Sequence, residues 1–368
     1  MPELPEVETV ARDLRGLVIG ATIAGVRSTW ARTFRSGDPA AFARAVVGRT
    51  IVGSARRAKL VVLDLDDGQA VTIHLKMTGQ LFVVPASTPE DPYVRVVLEL
   101  NDGRELRFRD IRKFGRVGVS SRNPLSGDLE GELGGPRTFR GFGPEPLDPA
   151  FSPRSFRTRL RGRRGRLKAL LTDQAFVAGV GNIYADEALW ESRLHPLRTA
   201  ATLRPAHEGR LYRALRRLLA EAVEQRGSSI DDYTAPGGDG AMQERLRVYQ
   251  RTGEPCPRCG RPIRRIVAGG RATHFCSWCQ RLPAQDRPGA AAILRTMTPS
   301  GGGANGGRLA GTRPAGTRTG RSWTDLPGPP ALGLTPAEVE LAELRATARR
   351  TQAAAAARRA RARSASSS

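Results

Sequence analysis

Long apolar runs, cysteines and acidic residues are all scarce in this 368-residue chain. No hydrophobic stretch approaches the roughly 20 residues that a membrane-spanning helix needs, and the N-terminus has no basic-then-apolar signal peptide. The only four cysteines fall within 24 positions of one another, which argues against a disulfide framework. These absences favour a cytoplasmic protein over a membrane or secreted one.

The shortage of acidic residues leaves a strongly basic chain. Lysine and arginine number 59 against 36 aspartate and glutamate, which gives a formal net charge of +23. A field of this sign suits a polyanion, and nucleic acid is the first candidate. A membrane surface is the alternative partner for such a charge.

Composition and periodicity divide the chain into five parts. Two strand pairs, joined by Asp66-Asp67-Gly68 and Asn101-Asp102-Gly103, predict β-hairpins in a β-sandwich. A helical region follows, with one basic helix from Pro153 through Lys168 and a longer one over about Pro205 to Gln225. The expected parts are a β-sandwich at 1–126, a connector at 127–150, a helical domain at 151–245, a zinc ribbon at 246–282 and a tail at 283–368.

The tail is predicted to be disordered. Glycine, alanine and arginine dominate it, and residues 285–368 hold 13 arginines against 5 acidic residues. Such a composition cannot build a core but can neutralise phosphates. It can equally be a solvated appendage without function.

The four cysteines form two C-x-x-C pairs, Cys256/Cys259 and Cys276/Cys279, with sixteen residues between the pairs. This spacing predicts a closed, tetrahedral, structural zinc site. A redox pair is the alternative, but no βαβ pattern accompanies the cysteines. His274 lies between the pairs and is predicted to be a surface or DNA-facing residue.

The chain starts with MPELPEVE, which places Pro2 at the N-terminus once the initiator methionine is removed. A free N-terminal proline is a secondary amine that can form an iminium with an aldehyde-like carbon. Glu3 can act as the acid or base beside it. The alternative is an ordinary helix start, because Val7, Val10 and Leu14 form an apolar stripe.

A second cluster, Arg109 to Gly115, places cations beside the aromatic Phe114. A loop of this kind can fill the gap left when a base is extruded from a duplex. A strand end with ordinary arginine/phenylalanine alternation is the alternative.

Taken together, the motifs resemble the formamidopyrimidine-DNA glycosylase family of the Fpg/Nei type, bacterial base-excision enzymes that remove oxidised purines. The resemblance runs from residue 2 to about residue 282. The LPEVE start, rather than the GPE of the related endonuclease VIII branch, favours oxidised purines over oxidised pyrimidines. Its motifs are PELPEVE, RRAK at Arg56–Lys59, HLKMTGQL at His74–Leu81, DIRKFG at Asp110–Gly115, GPEPL at Gly143–Leu147, VGNIYADE at Val180–Glu187 and RATHFC within the four-cysteine ribbon.

The resemblance implies an α+β multidomain fold and an enzyme with two activities. A β-sandwich, a helix-two-turn-helix domain and a zinc ribbon with one structural Zn²⁺ would bind damaged double-stranded DNA. The implied enzyme is a monomeric, cytoplasmic DNA glycosylase and AP lyase that acts on 8-oxoguanine and formamidopyrimidines. Pro2 is implied as the nucleophile, Glu3 as its acid/base partner, Lys59 as the proton carrier in β-elimination and Arg271 as the residue of δ-elimination.

The resemblance also implies residues that contact DNA. Some fill the void in the duplex and others contact the backbone, with Glu6 shaping the lesion pocket. The void-filling residues are Met77, Arg112 and Phe114, and the backbone contacts are Tyr93, Lys113, Arg163, Lys168 and Asn182.

The chain departs from the family pattern at three places. Tyr93 stands where the family tends to have histidine, and Lys113 stands where arginine is common, which removes a bidentate fork. Gly240 to Gln243 replaces a form with aromatics in a loop linked to the flipped base, so the ranking of lesions stays open. Two other functions are considered, a damage-binding protein without catalysis and RNA association through the tail. An intact Pro2-Glu3 start argues against the first.

Overall fold

The computed structural model describes residues 1–123, 129–130, 141–229 and 238–297. The predicted disordered tail therefore lies outside the described residues from 298 onward. In the described part the order begins with helix α1, strand β1, helix α2 and strands β2–β9. Their bounds are α1 Leu4–Val18, β1 Ile23–Ser28, α2 Pro39–Val46, β2 Ile51–Arg57, β3 Leu60–Leu65, β4 Gln69–His74, β5 Gly79–Pro85, β6 Val94–Leu100, β7 Arg104–Asp110, β8 Arg116–Arg122 and β9 Leu129–Glu130.

The second half of the described chain is helical and ends with a hairpin and a last helix. The bounds are α3 Pro153–Arg161, α4 Leu167–Thr172, α5 Asn182–Glu191, α6 Pro205–Glu224, β10 Arg264–Ala268, β11 Arg271–Phe275 and α7 Arg287–Leu294. Single turns of 3₁₀ helix lie at Ala31–Thr33, Ala200–Thr202, Met242–Arg245 and Ala284–Asp286.

Two antiparallel sheets form the N-terminal β domain. One has the strand order β1-β6-β7-β5 and the other β2-β3-β4-β8-β9. Alternate residues of both sheets, such as Ile51, Val71, Leu98 and Phe108, are buried in one hydrophobic cluster. The predicted N-terminal β domain is confirmed, and glycines with positive φ occupy both predicted hairpin turns, at Gly68 and Gly103.

Helix α1 links the β domain to the helical domain. Val7, Val10 and Leu14 on its apolar face belong to the core of the β domain. Leu4, one turn earlier, is instead buried in the core of the helical domain, and its N–H donates to Gly179 O at 2.9 Å. The apolar stripe predicted from the sequence is therefore confirmed, and it directs the first residues to the junction of two domains.

The predicted basic helix is wrong in extent. Helix α3 begins at Pro153 with Ser152 as its cap, whose Oγ accepts from Ser155 N at 3.1 Å, but it ends at Arg161. Helix α4 starts only at Leu167. Two glycines and three arginines separate them, and glycine disfavours a helix interior while adjacent like charges repel.

Two predicted boundaries also differ from the structure. Leu129 and Glu130 pair with β8, so the five-stranded sheet extends beyond residue 126. Residues 283–297, assigned to the disordered tail, contain the 3₁₀ turn and helix α7. Ala290 of α7 is fully buried, because Ala290, Ile293 and Leu294 together supply enough apolar surface to dock one short helix.

Candidate active site

The Glu3 carboxylate is bound at the N-terminus of α5. Its two oxygens accept from Gly181 N at 2.7 Å and from Ile183 N at 2.9 Å, and the residue is only 1% exposed. The first amides of a helix have no partners within the helix, and the helix dipole favours an anion there. A residue near the chain start is thus held by a loop about 180 positions later.

Gly181 is required for this arrangement. A Cβ built on it would lie 2.3 Å from Glu3 Cδ and 2.6 Å from Lys59 Nζ. Carboxylate, ammonium and helix terminus therefore meet where any side chain would collide. Sequence reasoning gave Gly181 no role, although two glycines before a helix are a sign of close approach.

Lys59 lies at the two-residue turn between β2 and β3. Its neighbour Ala58 has a φ of 53°, in the left-handed region, and Ala58 N donates to Glu145 Oε1 at 2.7 Å. Arg57 donates to the same carboxylate at 2.7 Å, and Arg56 forms an ion pair with it at 2.7 Å. Glu145, from the interdomain connector, therefore fixes the turn that presents Lys59.

The surroundings of Lys59 change its basicity. Burial lowers the pKa of Lys59 and outweighs the carboxylates of Glu3 and Glu6, which act to raise it. Arg271 adds to the lowering by charge repulsion. A lysine of this kind releases its proton more readily than an exposed one, which suits a group that carries protons.

Glu6 forms the floor of the same site. Its carboxylate accepts from Glu3 N at 2.8 Å, from Tyr184 Oη at 2.6 Å and from Ser228 N at 2.8 Å. Burial raises the pKa of Glu6 and the Glu3 charge adds to this, while the three donors oppose it. Tyr184, fully buried on α5, is a second residue that sequence reasoning did not assign.

The zinc hairpin is fastened to α5 beneath Arg271. Asn182 Nδ2 donates to Ala272 O at 3.0 Å, and Asp186 Oδ2 accepts from His274 N at 2.9 Å. Arg271 itself is exposed at the start of β11, following two glycines with positive φ. The hairpin turn is thereby held from one side while its arginine stays accessible.

Two residues of this region that were predicted to face solvent or DNA, His274 and Lys168, are buried among protein groups. His274 is buried, not exposed, because Asp186 and the ring of Tyr249 enclose it. Lys168 is 3% exposed, and its Nζ donates to Asp186 at 2.6 Å and to Asn182 O at 2.8 Å. Its predicted phosphate contact remains a prediction, since its first partners are protein groups.

The loop between β7 and β8 presents three exposed side chains, Arg112, Lys113 and Phe114. The buried Asp110 supports it, since its carboxylate accepts from Thr78 Oγ1 at 2.6 Å and from Gly115 N at 2.6 Å. Phe114 is 47% exposed although it is a large apolar residue. A rigid turn with an exposed phenyl ring has the form of a wedge.

Three other residues are predicted to contact DNA. Met77 and Tyr93 lie in the β domain, and Arg163 lies in the helical domain. Met77 is half-buried in the β4–β5 turn, which Thr78 connects to the same loop through Arg112 N at 3.1 Å. Tyr93 is 40% exposed, with the guanidinium groups of Arg95 and Arg109 over its ring. Arg163 is exposed in the break between α3 and α4.

A cavity of about 320 Å³ beside the wedge is lined by Arg35, Lys76, Phe114 and Arg116. Burial lowers the pKa of Lys76, and the charges of Arg35 and Arg116 lower it further. Nearby, burial and the charges of Lys76 and Lys59 hold the pKa of His74 at about 3. Such a concentration of positive charge suits an anionic backbone.

The four cysteines meet as the spacing predicted. Their sulfur atoms all lie within 4.8 Å of one another, and Cys259 Sγ and Cys276 Sγ are 3.5 Å apart. A tetrahedron with Zn–S bonds of about 2.3 Å has edges of about 3.8 Å, so four thiolates fit one zinc ion with no open position. Val248 and Ile263 pack around them, with Trp190 Nε1 directed at Cys256 Sγ at 3.4 Å.

Three family models match successive parts of the chain. They are the formamidopyrimidine-DNA glycosylase N-terminal domain over residues 1–117, the H2TH domain of the same enzymes over 142–234, and a zinc finger found in FPG and IleRS over 253–282. The chain belongs to the formamidopyrimidine-DNA glycosylase family. Members are bifunctional DNA glycosylases and AP lyases that act on oxidised purines, and this chain is therefore such an enzyme with a four-cysteine zinc finger.

Individual family members agree over the same region. A formamidopyrimidine-DNA glycosylase of Herpetosiphon aurantiacus is 43% identical over 282 residues, 76% of this chain and 100% of the relative. The crystal structure of MutM (Fpg) from Thermus thermophilus is 42% identical with a TM-score of 0.67, covering 77% of this chain and all of that one. Lactococcus lactis Fpg in complex with abasic-site DNA is 34% identical with a TM-score of 0.69, covering 76% and 99%. Among the described residues, no helix has the length and apolar character to cross a membrane.

Substitution of Gly181 by alanine should disable the site while preserving the domains. The added methyl would overlap Glu3 and Lys59, and a displacement of about 1 Å at reacting groups can lower rates about 100-fold. Single-turnover excision of 8-oxoguanine from a duplex measures the effect. Gly16→Ala is the matched control, because Gly16 is exposed in α1 with no atom within 4 Å of the added Cβ. Equal activity of the two variants would contradict the close approach.

Zinc should be present at one ion per chain and should stabilise the ribbon. Cys279→Ser removes one of four thiolates and should release the metal, because zinc binding supplies much of the folding free energy of so small a core. Elemental analysis of the two purified proteins measures the ratio. Wild-type protein that is folded and active without stoichiometric zinc would exclude the structural role.

Proposed function

We propose that Pro2, Glu3, Lys59 and Arg271 carry out glycosidic bond cleavage and strand cleavage in succession, with an N-terminal proline iminium as the shared intermediate. The observation that carries this proposal is the Glu3 carboxylate, bound at the α5 terminus beside Lys59 Nζ and directly after Pro2. Buried groups of opposite charge are expensive to desolvate.

In the first step, the lone pair of the Pro2 nitrogen attacks C1′ of the damaged nucleotide. A bond forms between nitrogen and C1′, the bond from C1′ to the nucleobase breaks with its electron pair, and the nucleobase leaves as an anion that takes a proton from water. The C1′–O4′ bond then opens as Glu3 passes the proton lost by the Pro2 nitrogen to O4′, which leaves a cationic iminium between Pro2 and C1′.

The iminium is an electron sink that makes elimination possible. Transfer of a C2′ proton to a proton acceptor breaks the C3′–O bond in β-elimination, and loss of the C4′ proton then breaks the C5′–O bond in δ-elimination. Lys59, whose pKa burial lowers, is proposed to carry the proton in the first elimination. Arg271, exposed on the hairpin turn, is proposed to bind the phosphate that departs in the second. Hydrolysis of the remaining iminium releases Pro2.

This chemistry requires the free amine of Pro2. In the full sequence Met1 precedes it, and an amide nitrogen has no lone pair to donate. Removal of Met1 is therefore part of the proposal. The helix terminus then serves a second purpose, since an anionic Glu3 held by two backbone amides stays next to the amine that it must assist.

Duplex DNA is proposed to bind against the positively charged cavity beside Phe114, with the damaged base extruded. Met77, Arg112 and Phe114 fill the vacated space and offset part of an unstacking cost of a few kcal/mol. Tyr93, Lys113, Arg163, Lys168 and Asn182 are the proposed contacts along the backbone, which position DNA without reading sequence. The chain is further proposed to act as a monomer in the bacterial cytoplasm.

Borohydride should trap a covalent complex between this protein and a duplex that carries 8-oxoguanine or an abasic site. Reduction converts the Pro2 iminium to a stable amine, so the adduct survives denaturing electrophoresis. Pro2→Gly should weaken trapping, because a primary amine replaces the secondary one, and protein that retains Met1 should give none. Absence of any adduct with correctly processed protein would refute the iminium.

Phe114→Ala should slow excision from duplex DNA far more than cleavage at a preformed abasic site. The exposed ring compensates for extruding a stacked base, and that cost is smaller where no base remains. Paired single-turnover rates on the two substrates measure the difference. Val52→Ala, which shortens another exposed apolar residue on β2, is the control and should alter neither rate. Equal losses on both substrates in Phe114→Ala would indicate a folding defect instead.

A further inference from the structure

Helix α7 lies beyond the part of the chain that the family models match. The zinc-finger match ends at residue 282, whereas α7 spans Arg287–Leu294 and the described chain continues to residue 297. Catalytic and zinc-binding residues all precede it. Neither catalysis nor zinc binding by its own residues therefore accounts for the position of α7.

One face of α7 is buried against the zinc hairpin. Ala290 is 0% exposed and belongs to a small hydrophobic cluster with Ile266 of β10 and Phe275 of β11. Leu197 of the helical domain completes the buried set, and the His195 ring meets Phe275 edge-on at 4.6 Å. The helix is thus wedged where the hairpin meets the helical domain.

Polar contacts fix both ends of this segment. At the start, Asp286 accepts from Thr199 Oγ1 at 2.8 Å and from Thr202 Oγ1 at 3.0 Å, both in the helical domain. At the end, Thr296 Oγ1 accepts from Val267 N at 2.9 Å, on the outer edge of β10. Arg166 also donates to Gly289 O. The segment consequently fastens the free edge of the hairpin to the helical domain.

The contact reaches the neighbour of Arg271. Ala268 packs against the α7 cluster, and Ala268 is the cross-strand partner of Arg271. Directly opposite residues of an antiparallel pair lie on the same face of the sheet. Between them the turn consists of Gly269 and Gly270, which add no side-chain packing of their own. Asn182 and Asp186 bind the backbone of β11. On β10, the corresponding contacts are made by α7 and Thr296.

We propose that residues 284–297 form a brace that positions Arg271 for the second elimination. This inference rests on the proposed role of Arg271 and assigns a positioning role to a segment outside the matched family region. A two-stranded hairpin alone is only marginally stable, and catalytic groups must be held to within about 0.5 Å of their working geometry. The brace restrains the hairpin through β10, whereas Asn182 and Asp186 restrain it through β11.

The test compares two substitutions on the same helix and two truncations. Ala290→Asp places a carboxylate in the buried cluster, whereas Ala291→Asp adds the same charge at an exposed position one residue later. Truncation after Leu282 removes the brace, and truncation after Met297 keeps it while removing residues 298–368. Thr296→Val provides a milder variant that loses the acceptor for Val267 N and the hydrogen bond that Thr296 Oγ1 donates to Ile293 O.

Two readouts are taken on each full-length or truncated zinc-loaded protein. Hydrogen exchange of the amides in 264–275 reports on the hairpin without any catalysis. The ratio of δ- to β-elimination product on a preformed abasic duplex reports on Arg271 relative to the earlier steps. In Ala290→Asp and in the truncation after Leu282, exchange should accelerate and the product ratio should fall about tenfold, since small displacements carry such losses. Thr296→Val should shift both in the same direction by less.

Ala291→Asp and the truncation after Met297 should match the wild type in both readouts. Unchanged hairpin exchange in Ala290→Asp and in the truncation after Leu282 would overturn the brace. Faster exchange with an unchanged product ratio would overturn its positioning role. Arg271→Ala separates this from the proposed function, because a normal δ-product yield in that variant would refute the role of Arg271 itself, whatever the hairpin does.

Discussion

The Glu3 carboxylate at the N-terminus of α5 is the contact on which the site depends. It joins the start of α1 to a helix of the second domain, and both oxygens are used by backbone amides. Leu4, the next residue, is buried in the core of that second domain while Val7 is buried in that of the first. The first residues of the chain are therefore placed by two hydrophobic cores and one anion site together.

Charged groups accumulate around this contact to an unusual degree. Glu3, Glu6 and Lys59 are buried within one site, and Lys168 and Asp186 form a buried ion pair nearby. Buried ion pairs contribute little net stability, because desolvation offsets their attraction. Glu3, Glu6, Lys168 and Asp186 are instead each held by several donors or acceptors, which favours a fixed geometry. The altered pKa of Lys59 follows from the same burial, so the arrangement that costs stability also adjusts the chemistry.

Local signals carried most of the fold. The Asp-Asp-Gly and Asn-Asp-Gly turns, the cysteine spacing and the apolar stripe of α1 each depend on neighbouring residues only, and all are confirmed. The burial of His274 and Lys168 could not be read in this way, because Asp186, distant in sequence, decides it. Gly181 shows the same limit, since its need for hydrogen as a side chain arises from Glu3 and Lys59 on other elements. Helix α7 was hidden by a composition that resembles the low-complexity sequence after it.

The distance in sequence between Glu3 and its amide donors also sets an order of events during synthesis. The loop that receives Glu3 is translated about 180 residues after it, roughly 10–40 s later at ordinary bacterial elongation rates. Until that loop exists, the N-terminus has no docking site and stays accessible to an aminopeptidase. Once α5 has formed, Pro2 is buried. The late position of the acceptor loop in the chain therefore leaves a time window for the proposed removal of Met1 before the pocket closes around Pro2.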